Sequence, residues 1–272
     1  QIITKYFMPY LTNPLHIDIM KQDTIFAKEL SMNEQIYTIP VHDAFNEDTE
    51  CAFCAMRRHL EDKTIEYVLS PSYMEVDVRG ETNRLGFCEK HMARIYAEGQ
   101  SLGVGLLLHS HLKTQHETIK DLLKTASGKK NLFSKKDADL SELETYRREF
   151  RKSCYVCARE DATFERYLDA FFSLYKKEPE FREQVLNNKG YCLDHFMLIY
   201  DMAGDKLSKE EAETFRSKLA SLEDARLTEL EDDVEWFTKK FDYRFAKEPW
   251  KTSRDALPRC IQKVNSQFAE KK

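Results

Sequence analysis

Six of the seven cysteines belong to one pattern that occurs twice. The first copy is Cys51-x2-Cys54 followed by Gly86-x-Cys88-x2-His91, and the second is Cys154-x2-Cys157 followed by Gly190-x-Cys192-x2-His195. Thirty-three residues separate Cys54 from Cys88, and thirty-four separate Cys157 from Cys192. Ile95 and Tyr96 recur as Ile199 and Tyr200, so the likeness continues past the motif. The chain carries an internal duplication, and any fold it adopts must bring four soft donors together two times.

A pair of thiolates three positions apart closes one edge of a metal tetrahedron from a tight knuckle. A Cys and a His at the same separation share a helical face and close the opposite edge. Cys51, Cys54, Cys88, His91, Cys154, Cys157, Cys192 and His195 are therefore the candidate metal ligands. Three thiolates and one imidazole make the closed donor set of structural zinc, so two structural zinc ions are expected. Pairing within each copy is the expected arrangement. The alternative interleaves the copies and joins Cys51 and Cys54 to Cys192 and His195. Disulfides fit an odd cysteine count poorly and leave both histidines unexplained. A thioredoxin-like dithiol needs a βαβ setting. An iron–sulfur cluster with one His ligand stays open as the other metal chemistry.

The remaining composition points to helices. Eight Gly and seven Pro in 272 residues are too few for a sandwich or barrel, which needs a turn every 8–12 residues or so. Apolar residues make up 42% and charged residues 33%, enough for a core beneath amphipathic helices. The net charge of −5 gives no overall drive toward nucleic acid or anionic lipid. No apolar run approaches the roughly 18 residues of a membrane span. Residues 1–20 lack the basic and apolar stretches of a signal peptide, so a cytoplasmic location is expected.

Along the chain, residues 1–33 read as an extension of doubtful order, with Met20 and Met32 as plausible internal starts. The first metal-binding repeat spans 34–126, a Lys-rich linker 127–140, and the second repeat 141–204. A long packing helix covers 205–247 and a tail 248–272. Tyr37 to Val41 reads as a short extended lead-in, in which Pro40 argues against a central strand, and 72–85 as an irregular connection. Pro179 is placed at a helix start. Ser208 with Glu211 forms a capping box for the long helix, which is expected to pack on both repeats. The fold class is all-α: duplicated helical units, each clamped by a Cys3His metal site, plus a long C-terminal helix.

Other candidates are weaker. Asp77, Arg79, Glu81 and Asn83 precede Cys88 and read either as supports for His91, a polar pocket, or a solvated edge. His109 and His111 lie about 200° apart on a helix and cannot chelate together. They, His116, and His42 and His59 beside the first knuckle read as ordinary histidines. Arg147, Arg148, Arg151 and Lys152, with Lys129, Lys130, Lys135 and Lys136, offer a basic surface, but Glu142, Glu144 and Glu149 intersperse it. Cys260 reads as a small apolar residue. No GxSxG, P-loop, GxGxxG or HExxH motif occurs, and no enzyme activity is expected.

The chain resembles a bacterial family of uncharacterised proteins, domain-of-unknown-function family 6062. The resemblance rests on Tyr37 to Val41 before Asp43 to Phe45, the two Cys/His sets, Pro71 to Glu75 with Asp77 to Arg79, and Glu81 to Asn83. Asp242 to Arg244, Trp250 and Asp255 to Arg259 complete it, over roughly 33–264. It implies no established activity; some relatives carry a transporter label, for which this chain shows no nucleotide-binding loop. The function expected is a non-enzymatic, zinc-stabilised interaction module for an unidentified protein partner. A redox or iron–sulfur sensor is the alternative, and a nucleic-acid-binding zinc module a further one.

Overall fold

A computed structural model describes residues 34–128 and 137–268; the expected extension at 1–33 and most of the linker lie outside the described residues. Among the described residues there are eleven α-helices and no strand. They are α1 (Glu34–Asn46), α2 (Ala52–Leu69), α3 (Val76–Leu85), α4 (Glu89–Ala97), α5 (Ser101–Gly128), α6 (Asp137–Lys152), α7 (Tyr155–Lys177), α8 (Pro179–Leu186), α9 (Leu193–Lys206), α10 (Lys209–Lys239) and α11 (Ala256–Asn265). Short 3-10 turns occupy Pro71–Met74 and Ser253–Asp255.

Several local signals act as their chemistry predicts. Pro179 is the first residue of α8, where its missing N–H costs nothing. Ser208 and Glu211 form the reciprocal capping box that starts α10. Two segments differ from expectation. Tyr37 to Val41 is helical, with Pro40 inside α1. The turn survives because Val41, Ala44 and Phe45 on that helix are buried, and burial of apolar area outweighs one lost backbone bond. The stretch before Cys88 is helix α3 rather than irregular chain. Its Val76 and Val78 suggest alternation, but Val76 is 85% exposed, and the buried set is Val78, Thr82 and Leu85, at helical spacing.

The chain divides into two compact units, one formed by residues 1–52 and 166–272, the other by 53–165. Each unit therefore draws on both copies of the sequence repeat. In the first unit, Phe45 of α1 stacks on Phe171 of α7 at 5.7 Å and meets Phe181 of α8 edge-on at 5.0 Å. Phe215 of α10 closes the same aromatic core against Tyr175 at 4.9 Å. The elements α10 packs against most closely are α8, α9, α11 and the turn at Ser253–Asp255.

In the second unit one buried cluster is mostly aliphatic. Val68, Val78, Leu85, Ile95 and Leu107 from α2 to α5 pack with Tyr155 and Val156, the first residues of α7. The start of the second copy is thus built into the interior formed by the first.

Candidate metal centres

Both C-x2-H pairs sit at the entry to a helix. Gly86 and Gly190 have φ of +60° and +84°, a conformation that glycine alone adopts cheaply. Each turns the chain so that, two residues on, Cys88 and Cys192 occupy the N-cap positions of α4 and α9. His91 and His195 then lie on the first helical turn, three positions along and on the same face.

The donors gather in two groups: Cys51, Cys54, Cys192 and His195, and Cys88, His91, Cys154 and Cys157. Within each group the four donor atoms lie within 4.8 Å of one another. The expected pairing within each copy is therefore incorrect. Each C-x2-C meets the C-x2-H of the other copy.

The physical reason lies in helix lengths. Helix α2 begins at the first C-x2-C, and its 18 residues carry the chain about 27 Å away, while α3 returns with only 10 residues, about 15 Å. After the second C-x2-C, α7 runs for 23 residues, about 35 Å, and α8 for only 8, about 12 Å. A knuckle and the C-x2-H of its own copy are thus separated by a long helix. In the second unit the exchange is locked by the Tyr155 N–H, which donates to the Gly86 carbonyl at 2.9 Å, and by Phe87 against the Tyr155 ring at 6.3 Å.

The geometry fits a tetrahedral ion. His91 Nδ1 lies 3.3, 3.2 and 3.4 Å from the sulfurs of Cys88, Cys154 and Cys157. One ring nitrogen has at most one proton and cannot hydrogen-bond three sulfurs equally. A tetrahedron with metal–sulfur bonds of about 2.3 Å and a metal–nitrogen bond of about 2.0 Å has nitrogen–sulfur edges of roughly 3.5 Å. In the other group, His195 Nδ1 is 3.5 Å from Cys51 Sγ and 3.0 Å from Cys192 Sγ.

The acid–base chemistry of the donors makes the same demand. The hydrogen bond with Cys157 outweighs burial and, with that from His91, lowers the Cys154 thiol to about 3, whereas that same bond and burial push Cys157 up. Burial would lower His91, but the Cys154 thiolate and Glu61 raise it to about 10. His195 is likewise raised to about 9, by Cys192 and Cys51 against burial. Without a cation, the Cys88/His91/Cys154/Cys157 group settles for a shared charge on the His91 imidazole and the Cys154 thiol. A divalent ion lets all three sulfurs be thiolates and the ring neutral.

The ring of His91 is held from behind by a residue that sequence reasoning missed. A carboxylate oxygen of Glu61 on α2 lies 3.0 Å from His91 Nε2, at the end of the ring opposite the sulfurs. Lys90 and Arg94 also reach Glu61 at 3.0 Å each. Burial alone would raise Glu61, yet the bonds from His91, Lys90 and Arg94 hold it at about 2. In sequence, Glu61 stands in a run of charged residues and nothing marks it out.

The other group has a different surround. Ser266 Oγ lies 3.1 Å from Cys192 Sγ. Lys263 of α11, fully buried, donates to the carbonyls of Lys189 and Tyr191 at 2.7 and 3.1 Å, and Glu223 of α10 accepts the Tyr191 N–H at 2.8 Å. The buried Lys263–Glu223 pair thus braces the Gly190 turn that aims Cys192.

The remaining candidates fall elsewhere. Asp77 is exposed, and Glu81 pairs with Arg84 at 2.5 Å. Arg79 is half-buried, and the Asn83 carbonyl accepts from His111 Nδ1 at 2.8 Å and Gln115 Nε2 at 3.3 Å. The residue that touches the His91 ring is Glu61 rather than any of these four. His42 pairs with Glu178 at 3.3 Å, and His109 and His116 are exposed. Arg147, Arg148, Arg151 and Lys152 are exposed on α6; Lys129, Lys130, Lys135 and Lys136 lie outside the described residues. Cys260 is half-buried and belongs to neither group. No helix among the described residues is long and apolar enough to cross a membrane.

No curated protein and no solved structure matches the chain. A model of one family of unknown function, DUF6062, matches residues 32–271. With nearly the whole length covered, the chain is a member of the DUF6062 family.

Proposed function

We propose that the protein is a non-enzymatic, zinc-stabilised helical module that presents its surface to a protein partner. The observation that carries this reading is the pair of interleaved Cys3His groups, each supplying four protein donors around one point. A closed four-donor set leaves no position for a reacting water, which favours a structural over a catalytic ion. Zinc is preferred over a cluster because four donor atoms within 4.8 Å enclose a single small ion. The thiolates require a reducing compartment, which favours the cytoplasm.

The test is metal analysis and an absorption spectrum of anaerobically purified protein, followed by chelation during thermal unfolding. Two zinc ions per chain, no visible absorption, and a large drop in Tm on chelation are the expected results. Iron, sulfide and colour overturn the zinc assignment. An unchanged Tm after metal removal overturns the structural role. Binding to DNA or RNA that falls steeply with salt would favour the nucleic-acid reading instead.

A further inference from the structure

The two groups differ in access. Cys51, Cys54, Cys192 and His195 are all buried, at 0, 3, 0 and 1% exposure. In the other group Cys154 and His91 are buried, but Cys88 and Cys157 are only partly buried. Cys88 also lines an open cavity of about 740 Å³, together with Gly86, Phe87, His111, Phe150 and Arg151.

We propose that the Cys88/His91/Cys154/Cys157 group is a peroxide-sensitive thiol switch, while the Cys51/Cys54/Cys192/His195 group is inert to the same oxidant. This rests on the metal-binding reading above and adds regulation to one of its two sites. The Cys88 thiolate attacks hydrogen peroxide, the O–O bond breaks, and Cys88 becomes a sulfenic acid as hydroxide leaves and takes up a proton to give water. The Cys157 thiolate then attacks the Cys88 sulfur, the S–O bond breaks, and a second water leaves with another proton from solvent. Two sulfurs have lost two electrons, the peroxide has gained them, and a Cys88–Cys157 disulfide has formed. With two of its four donors gone, the site releases its ion. The buried group is spared because oxidation rates follow access to the thiolate as well as its charge.

The experiment uses the full zinc-loaded chain carrying Cys260→Ser, which removes the thiol outside both groups. Hydrogen peroxide is added in steps, and freed zinc is read with a chromophoric chelator while peptide mapping locates the oxidised cysteines. The expected result is release of one of the two ions, a Cys88–Cys157 disulfide, and reloading after reduction. In parallel, native alkylation should label Cys88 and Cys157 faster than Cys51, Cys54 and Cys192, by on the order of tenfold or more. Release of both ions at one rate, release of neither, a disulfide confined to the buried group, or equal labelling rates each overturn the proposal. Protein that never contains zinc marks the failure of the metal reading instead; the labelling order then still tests the difference in access.

Discussion

Cys51 Sγ and His195 Nδ1 lie 3.5 Å apart although 144 positions separate them in the chain. That contact defines the interleaving. The entropy of closing a loop grows only by about 0.6 kcal/mol per doubling of its length. Exchanging a loop of about 33 residues for one of about 140 therefore costs on the order of 1 kcal/mol. Zinc binding by such donors is on the order of 10–16 kcal/mol, so helix packing rather than loop closure decides which C-x2-C meets which C-x2-H.

The pairing is testable by counting ions. A Cys54→Ala/His195→Ala double variant removes two donors from one group and should retain one zinc. A Cys54→Ala/His91→Ala variant damages both groups and should retain none. Pairing within each copy predicts the reverse, and elemental analysis of the two proteins decides between them.

Glu61→Gln should weaken one site alone. The amide keeps the shape but loses the charge that lies 3.0 Å from His91 Nε2. Zinc affinity at that site should fall by about 10–100-fold, with the other site unchanged. A competition titration against a chelator of known affinity resolves the two steps, and equal weakening of both would contradict the assignment.

Gly190→Ala should be costly. Its φ is +84°, and a Cβ there would lie 2.7 Å from both Glu223 Oε2 and Lys263 Nζ. We expect a loss of roughly 1–3 kcal/mol in the zinc-loaded protein. Gly105→Ala, in the interior of α5 where a Cβ meets nothing within 4 Å, should instead add roughly 0.5–1 kcal/mol. Thermal or denaturant unfolding of the two variants measures the contrast.

Asp233 ties the tail to α10 through Arg259 at 2.5 Å and through Thr252. Burial would raise its pKa, but these partners hold it below the ordinary 3.8. Its contribution is thus fully present above about pH 4 and is lost as pH falls through the depressed folded value. Asp233→Asn should lower stability by about 1–3 kcal/mol at neutral pH, and the gap should close on acidification. A gap constant from pH 7 down to pH 2 would contradict the ion pair.

Residue spacing was sufficient for much of this molecule. The donors are legible because two positions three apart must share an edge of a tetrahedron whatever the rest of the chain does. Gly86 and Gly190 are legible because a helix must open at the cysteine two residues on. Ser208, Glu211 and Pro179 announce helix starts by satisfying, or lacking, local backbone groups.

What spacing cannot carry is anything that depends on a neighbour remote in sequence. Pro40 sits inside a helix because Phe45, five residues on, is buried against Phe171 and Phe181. Glu61 becomes the support of His91 only when α2 and α4 lie side by side, and in the chain it is one charge among many. By itself the sequence determined the helical class, the duplication, and the eight donors, all properties of local periodicity and chemistry. Tertiary structure decided the partners: it crossed the two copies, buried one donor group, and left Cys88 and Cys157 of the other only partly buried, because long helices set the distances that sequence intervals do not record.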